Sequence, residues 1–160
     1  LLLFGCKSSS KKNSSSTVTH SKAPKVKSTT EDNRVEKILT TARSYMGTPY
    51  KFGGTTKAGI DCSGLVLQSF KSIGITLPRT SSEQSNTGKT ISIQQVAPGD
   101  LVFFTDKKGN TKITHVGIIS VVRNTREMKF IHASTKLGVV ENDLMVTYYE
   151  SLIIKYVRIL

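Results

Sequence analysis

Cysteine is scarce in this chain of 160 residues, occurring only as Cys6 and Cys62. A disulfide between them would tie a polar tail to a core helix for no structural gain, so the two are read as serving separate functions. Two cysteines also fall short of the paired ligands that zinc ribbons and knuckles need. Acid is scarce too: 11 Asp and Glu stand against 23 Lys and Arg, a formal net charge of +12. Residues 1–30 hold six lysines and no acid, so half of that excess lies in the polar start of the chain. A basic surface favours nucleic acid, anionic lipid or anionic wall polymers, and charge alone does not choose among them. No basic stripe is interleaved with aromatics and no nucleic-acid motif occurs, so nucleic acid is not an expected partner. The sequence has no apolar run long enough to span a bilayer, and no internal repeat. The length fits one domain with a hydrophobic core, plus a tail.

Along the chain, residues 7–30 are Ser, Thr and Lys with scarcely any apolar residue, the composition of a disordered tether. Folding is expected from Glu31. Val35, Ile38, Leu39, Ala42 and Tyr45 or Met46 recur at helical spacing until Gly47 and Pro49 stop the pattern. A glycine-containing loop, Thr48 to Gly54, follows and brings Tyr50 close in sequence to Cys62. Cys62, Leu65, Val66, Phe70 and Ile73 again fall on helical spacing, with Asp61 as N-cap and Gly74 as the stop. A short helix capped by Ser or Thr is expected before Glu83. From there the pattern turns to strands: Ile91 and Ile93 alternating with polar residues, Leu101 to Phe104, Ile113 to Val122, Met128 to Ala133 and Ile153 to Ile159. Helices first and strands afterwards predict an α+β fold with an antiparallel sheet.

Asp61-Cys62-Ser63-Gly64 is the stretch with chemistry in it. A thiol at a helix N-terminus meets unpaired amides and the positive end of the helix dipole, which favours the thiolate. The alternative is a buried, inert cysteine that opens a core helix. His20 lies in the tether, whereas His115 and His132 both lie in predicted strands. A hairpin turning around Arg123 to Thr125 would place these two on one face as opposite or diagonal neighbours, about 5–8 Å apart at Cβ. Acyl transfer by a thiol needs a base within hydrogen-bonding reach and a third polar group to orient that base. His115 fits the base and His132 the orienter, provided His132 is neutral and accepts a hydrogen bond. Activity is then expected to fall on the acid side of about pH 6.5, the free histidine value. Each histidine alone also fits a hydrogen-bonded sheet residue, and Cys-His-His also fits zinc, but no fourth ligand stands at metal spacing. No metal or cofactor is expected.

Two resemblances extend this reading. Leu1-Leu2-Leu3-Phe4-Gly5-Cys6 resembles the end of a lipoprotein signal with its lipobox, which implies lipid attachment at Cys6 and a membrane anchor without a span. The remainder, about residues 35 to 160, resembles the NlpC-type cell-wall endopeptidases, papain-like cysteine peptidases of bacteria. The matching pieces, in the family's order, are Gly47 to Gly54, Asp61 to Gly64, Leu77-Pro78-Arg79-Thr80-Ser81, Pro98 to Phe104, Thr114-His115-Val116-Gly117-Ile118 and Phe130-Ile131-His132-Ala133-Ser134. The resemblance implies a 31–160 peptidase domain with Cys62 as nucleophile, His115 as base and His132 as third residue. It implies Tyr50 as an oxyanion donor beside the Cys62 amide, and Asp61 and Ser63 as holders of the amino end or charged groups of a stem peptide. Arg79 is expected in a structural ion pair or hydrogen bond, with substrate contact as the alternative. The implied substrate is the peptide of peptidoglycan, at a D-glutamyl-diaminopimelate bond or a diaminopimelate crosslink, cut through a thioester acyl-enzyme. The implied place is the bacterial envelope, lipid-anchored to a membrane on its periplasmic or cell-surface side, and a monomer is expected. A cysteine amidase or acyltransferase on the same scaffold, and a non-catalytic wall-binding lipoprotein, are the competing readings.

Overall fold

The computed structural model describes Leu2, Gly5 and residues 30–160. Cys6, His20 and nearly all of the expected tether lie outside the described residues.

Helix α1 spans Thr30–Arg43, with Glu31 and Asp32 in its first turn and Arg43 in its last, each sign of charge at the end of the dipole that favours it. Its buried residues Ile38, Leu39 and Ala42 form the stripe that the sequence spacing requires. Helix α2 spans Cys62–Lys71 and buries Cys62, Ser63, Gly64, Leu65, Val66, Ser69 and Phe70. It is covered on more than one side because it lies between α1 and the sheet. Short strands β1 (Thr55–Thr56) and β2 (Gly59–Ile60) make a small antiparallel pair before α2. Helix α3, Ser81–Gln84, carries the expected cap as a complete capping box between Thr80 and Glu83.

Six strands follow: β3 (Lys89–Ile91), β4 (Leu101–Phe104), β5 (His115–Asn124), β6 (Glu127–Ser134), β7 (Gly138–Asp143) and β8 (Ile153–Arg158). They form one sheet in the order β3-β8-β4-β5-β6-β7, antiparallel throughout. The fold is therefore the α+β arrangement expected. Ile93, expected in a strand, opens instead a 3-10 turn over Ile93–Gln95, with Ser92 and Gln95 forming its capping box. Strand β7 and a one-turn helix α4 (Thr147–Glu150) are additions that the sequence pattern did not mark.

Both faces of the sheet are covered. On one, Leu101, Phe103, Val116, Ile118, Ile131, Ala133, Val139 and Val157 pack with Ile38, Leu65, Val66 and Phe70 of the two long helices. On the other, Val102, Phe104, Ile119, Met128, Phe130 and Tyr156 pack with Leu144 and Leu152, and Tyr149 lies against them. Alternation along β4 sends Leu101 and Phe103 one way and Val102 and Phe104 the other, which explains why all four are buried.

The loop after α1 is fastened to β7. The Gly47 amide donates to the Val139 carbonyl (2.9 Å) and the Val139 amide to the Thr48 carbonyl (2.9 Å). Gly138 stands at φ +73°, and a Cβ there would lie 2.3 Å from the Thr48 oxygen, so only glycine permits the approach. Through this contact Tyr50, bridged to Ile60, is held beside the start of α2.

Candidate active site

Asp61 is the N-cap of α2, as its position predicts, with its Oδ1 accepting from the Gly64 amide at 2.7 Å. Oδ1 also accepts from Ser63 Oγ (3.2 Å) and Arg79 Nη1 (3.0 Å), and Oδ2 from the Gly53 amide (2.8 Å) and Arg79 Nη2 (2.6 Å). Arg79 further donates to Ser63 Oγ at 2.9 Å and to the Gly54 carbonyl at 3.3 Å. The expected ion pair of Arg79 is thus present, and its partner is Asp61. Burial alone would raise the Asp61 pKa, but Arg79 and the two amides outweigh it and hold the carboxyl below its ordinary value. Gly64 lets the Gly54 loop close over this cap, since a Cβ there would lie 2.3 Å from the Gly54 oxygen.

Cys62 is 7% exposed and packs in the helix-side core. The thiol is not the low-pKa group that its helix-start position predicts: its pKa is raised. Burial is the largest cause, and the Asp61 charge adds to it, while the amides of Val116, Ser63 and Cys62 pull the other way. The dipole argument fails here because the thiol is desolvated and an anion already caps the same helix end. Val116, whose amide is among the groups that lower the thiol pKa, is the residue after His115 and packs in one core cluster with Cys62, so the start of β5 meets the start of α2.

The two histidines lie on the other face of the sheet. Pairing of Ile118 with Ile131 makes His115 and His132 diagonal neighbours in the β5-β6 hairpin, and His115 Nε2 lies 2.8 Å from His132 Nδ1. The turn is at Thr125 and Arg126, slightly later than expected. His132, 3% exposed, stacks on Phe130 with centroids 4.5 Å apart, and Tyr149 meets it edge-on at 5.6 Å. His132 Nε2 lies 3.0 Å from Asn142 Oδ1 on β7, which also accepts from the Tyr149 hydroxyl at 3.2 Å.

Burial pushes the His115 pKa down to about 3, with the neighbouring His132 adding to the effect. Burial also lowers the pKa of His132, and its bond to Asn142 offsets only part of this. Both pKa values thus lie below the ordinary histidine value, that of His115 at about 3, so the acid limb expected near pH 6.5 moves to lower pH.

Tyr50 stands near Cys62, Asp61 and Arg79. Its pKa is raised, first by burial and then by the charges of Cys62 and Asp61, so its hydroxyl remains a proton donor. A cavity of about 600 Å³ opens beside the histidines, walled by Tyr50, His115, His132, Lys136, Leu137 and Tyr148. A second cavity, of about 500 Å³, lies away from the histidines between α1, the Pro98-Gly99-Asp100 turn and Arg158. Among the described residues no group of three or more His, Cys, Asp or Glu is placed to hold a metal ion, and no helix is long and apolar enough to cross a membrane.

The structure therefore places Tyr50, Asp61, Cys62 and Ser63 at the start of α2, and His115 and His132 together on β5 and β6 in a cavity that Tyr50 also lines. Cys6 lies outside the described residues. Sequence reasoning missed Asn142 and Tyr149, which reach the site only through the β6-β7 register, in which His132 pairs with Val140, and through the one-turn α4. The signal for either in the sequence is slight: a polar residue in a short Val-containing segment and one of two adjacent tyrosines.

Comparison with known proteins gives the same site a lineage. The model of the NlpC/P60 family matches residues 47–158. The chain is 34% identical over 153 residues to a protein of Escherichia coli K12 named probable endopeptidase NlpC, a match that covers 94% of this chain and 88% of that protein. It is 41% identical over 125 residues to the bifunctional muramidase/DL-endopeptidase CwlT of Bacillus subtilis 168, covering 78% of this chain but only 36% of that protein. A solved structure from Staphylococcus aureus Mu50, described as similar to lipoprotein of the NLP/P60 family, superposes with a TM-score of 0.68 at 33% identity, over 80% of this chain and 42% of that one. With a family match over most of its length and a relative aligned nearly end to end, the chain belongs to the NlpC/P60 family and is a cysteine peptidase.

Proposed function

We propose that this protein is a peptidoglycan endopeptidase that hydrolyses an amide bond of the wall peptide, with Cys62 as nucleophile, His115 as general base and His132 as the orienting residue. The observation that carries this reading is the 2.8 Å bond between His115 Nε2 and His132 Nδ1, on the strand whose next residue, Val116, packs in one core cluster with Cys62. Because Nε2 of His115 is engaged by His132, Nδ1 is the nitrogen left for the thiol.

A raised thiol and lowered imidazoles mean that the resting pair is neutral, so the proton leaves sulfur as the carbonyl is attacked. In that step the sulfur-carbon bond forms, the thiol proton passes to His115 Nδ1, and the carbonyl electron pair moves to oxygen. The Tyr50 hydroxyl and the Cys62 amide serve as donors to that oxyanion. Collapse expels the amine, which takes the proton from His115, and leaves a thioester. Water, deprotonated by the same imidazole, then releases the acid and restores the thiol.

Asp61, Arg79 and Ser63 form the charged floor beside the nucleophile, suited to the amino end or charged groups of a stem peptide. Asp61 already receives the five donors named above, so a substrate amine would compete with them. Arg79, with its side chain 37% exposed, and Tyr50 are the more open members of the cluster. The name of the E. coli relative supports an endopeptidase, and that of the B. subtilis relative a DL-endopeptidase. A D-glutamyl-diaminopimelate bond or a diaminopimelate crosslink is the proposed target. We further propose that the chain acts in the cell envelope, lipidated at Cys6 and tethered through residues 7–30.

The test is digestion of intact sacculi and purified muropeptides by the wild type and by Cys62→Ser, with products identified by mass spectrometry. New amino and carboxyl ends in stem peptides are expected from the wild type, with a loss of at least about 10³-fold in the variant. Cleavage retained by Cys62→Ser would overturn the nucleophile assignment. Turnover only of other amides or esters would favour the amidase or acyltransferase reading.

A further inference from the structure

The orienting histidine is itself oriented. His132 has two ring nitrogens and only one proton when neutral, and which nitrogen carries it decides whether His115 can accept a proton from the thiol. For Nδ1 of His115 to keep its lone pair, its proton must sit on Nε2 and be donated to His132 Nδ1, 2.8 Å away. His132 must then carry its own proton on Nε2 and find an acceptor there. Asn142 Oδ1 stands 3.0 Å from that nitrogen. The Tyr149 hydroxyl donates to the same oxygen at 3.2 Å and lies 3.5 Å from His132 Nε2. Phe130 stacks on one face of the imidazole and Tyr149 closes its edge, so the ring has little freedom to turn.

The reverse arrangement is inactive. With the Asn142 amide turned about, its Nδ2 donates to His132 Nε2, and the His132 proton moves to Nδ1. His115 must then accept at Nε2 and carry its proton on Nδ1, the nitrogen that the peptidase reading assigns to the thiol, and so offers an N–H there instead of a lone pair. Everything in the proton path thus depends on which atom Asn142 presents.

We propose that Asn142, steadied by Tyr149, is a positioning residue that holds His132 in its Nε2–H tautomer and thereby keeps the lone pair of His115 directed at Cys62. The proposal rests on the peptidase reading for its consequence in catalysis, but the tautomer itself does not depend on any substrate. The titratable and charged groups facing His132 are His115 from β5 and Tyr149 from α4, and the same cavity is lined by Tyr50, Asp106, Lys136 and Tyr148. No carboxylate bonds either histidine among these contacts, so the relay is held by neutral groups alone.

The test uses the full chain labelled with ¹⁵N-histidine. Long-range ¹⁵N–¹H correlation spectra report the protonated nitrogen of His115 and His132, alkylation of Cys62 by iodoacetamide reports base function across pH, and sacculus digestion gives kcat and KM. The wild type is expected to show Nε2–H on both rings. Asn142→Leu should mix the His132 tautomers and lower kcat by about tenfold to hundredfold while KM stays within about twofold. Asn142→Asp keeps the acceptor and should preserve the tautomer. Its carboxylate favours the imidazolium, so the acid limb of alkylation should move to higher pH. Tyr149→Phe should cost less, about threefold to tenfold in kcat.

An Nδ1–H tautomer on His132 in the wild type would overturn the proposal, as would unchanged tautomer and kcat in Asn142→Leu. If Asn142→Leu does not fold, an acid limb that stays in place in Asn142→Asp overturns it instead. A wild type with the expected tautomers that cleaves no sacculus would refute the peptidase reading and leave the positioning role intact.

Discussion

On the helix side of the cleft, Asp61 gathers donors from Gly53, Ser63, Gly64 and Arg79 around one full negative charge. On the strand side, His115, His132, Asn142 and Tyr149 are joined without a formal charge among them. The two sides also differ in reach. Asp61, Cys62 and Ser63 are consecutive, whereas the strand relay draws on β5, β6, β7 and α4. The difference follows from what each side must do. The helix side holds a backbone end and a loop in place, for which a charged clamp is suited. The strand side must pass a proton, and a buried charge there would fix the proton where it is needed least.

With the nucleophile left in place, the largest expected effect belongs to the group between the two sides. Tyr50→Phe removes the hydroxyl assigned to the oxyanion, and kcat should fall by about a hundredfold while the protein remains folded. A fall of less than about threefold would leave the oxyanion to backbone amides alone. Arg79→Met comes next, because it strands the Asp61 carboxylate, which is 5% exposed. Since Arg79 is itself partly open to solvent, the expected cost is about 1–3 kcal/mol, read from the urea midpoint. Asp61→Asn in the same chain should return part of that loss. If Arg79→Met unfolds at the wild-type midpoint, the helix side is not held by charge.

The helix side was legible in the sequence because its logic is local. A capping aspartate, an apolar period of 3.6 and a glycine three residues after the cap are all read within a few positions, and they locate α2 and Cys62 together. The hairpin histidines were legible as well, since period 2 put both on one face. The thiol pKa was not, because helix position argues for a thiolate while burial, which needs the whole fold, argues more strongly against it. Nor were Asn142 and Tyr149. Strand β7, Gly138–Asp143, is an edge strand with only its first residues buried, so its sequence carries a weak apolar alternation. Helix α4 is a single turn, too short to show any period. Residues that act through register across a sheet leave no spacing rule along the chain.

Acidification should separate the two sides. The histidine pKa values are lowered in the folded state, so the unfolded chain binds more protons below about pH 6.5. Stability from the strand side is therefore complete above that value and is lost as pH falls from about 6.5 toward the folded value of His115, about 3. Asp61 has a lowered pKa as well, but for a carboxylate the contribution persists until pH drops below its ordinary value of about 3.9. Between about pH 6.5 and 5.5 only the strand side should weaken, since below that the Glu83 carboxylate of the α3 cap, whose pKa its bonds to Thr80 lower from 4.5, begins to take up protons in the unfolded chain. Melting temperatures measured across that window should fall less steeply in His115→Gln/His132→Gln than in the wild type, and parallel curves would show that the histidines carry no such linkage.

The smallest effect tests how far the helix-side clamp extends. Thr80 caps α3, and α3 ends in Gln84, which is fully buried and donates from Nε2 to the Ser63 carbonyl (3.0 Å) and the Pro78 carbonyl (2.9 Å). Two carbonyl acceptors fix the direction of that amide, so Gln84 braces the first turn of α2 from below while Arg79, one residue before the cap, braces it from the side. Thr80→Ala breaks the capping box, but Gln84 keeps both acceptors. It should therefore cost about 1 kcal/mol in the urea midpoint and change kcat by less than about twofold. A larger fall in kcat than the stability loss explains would mean that α3 sets the position of Cys62, and that the clamp begins at Thr80 and not at Asp61.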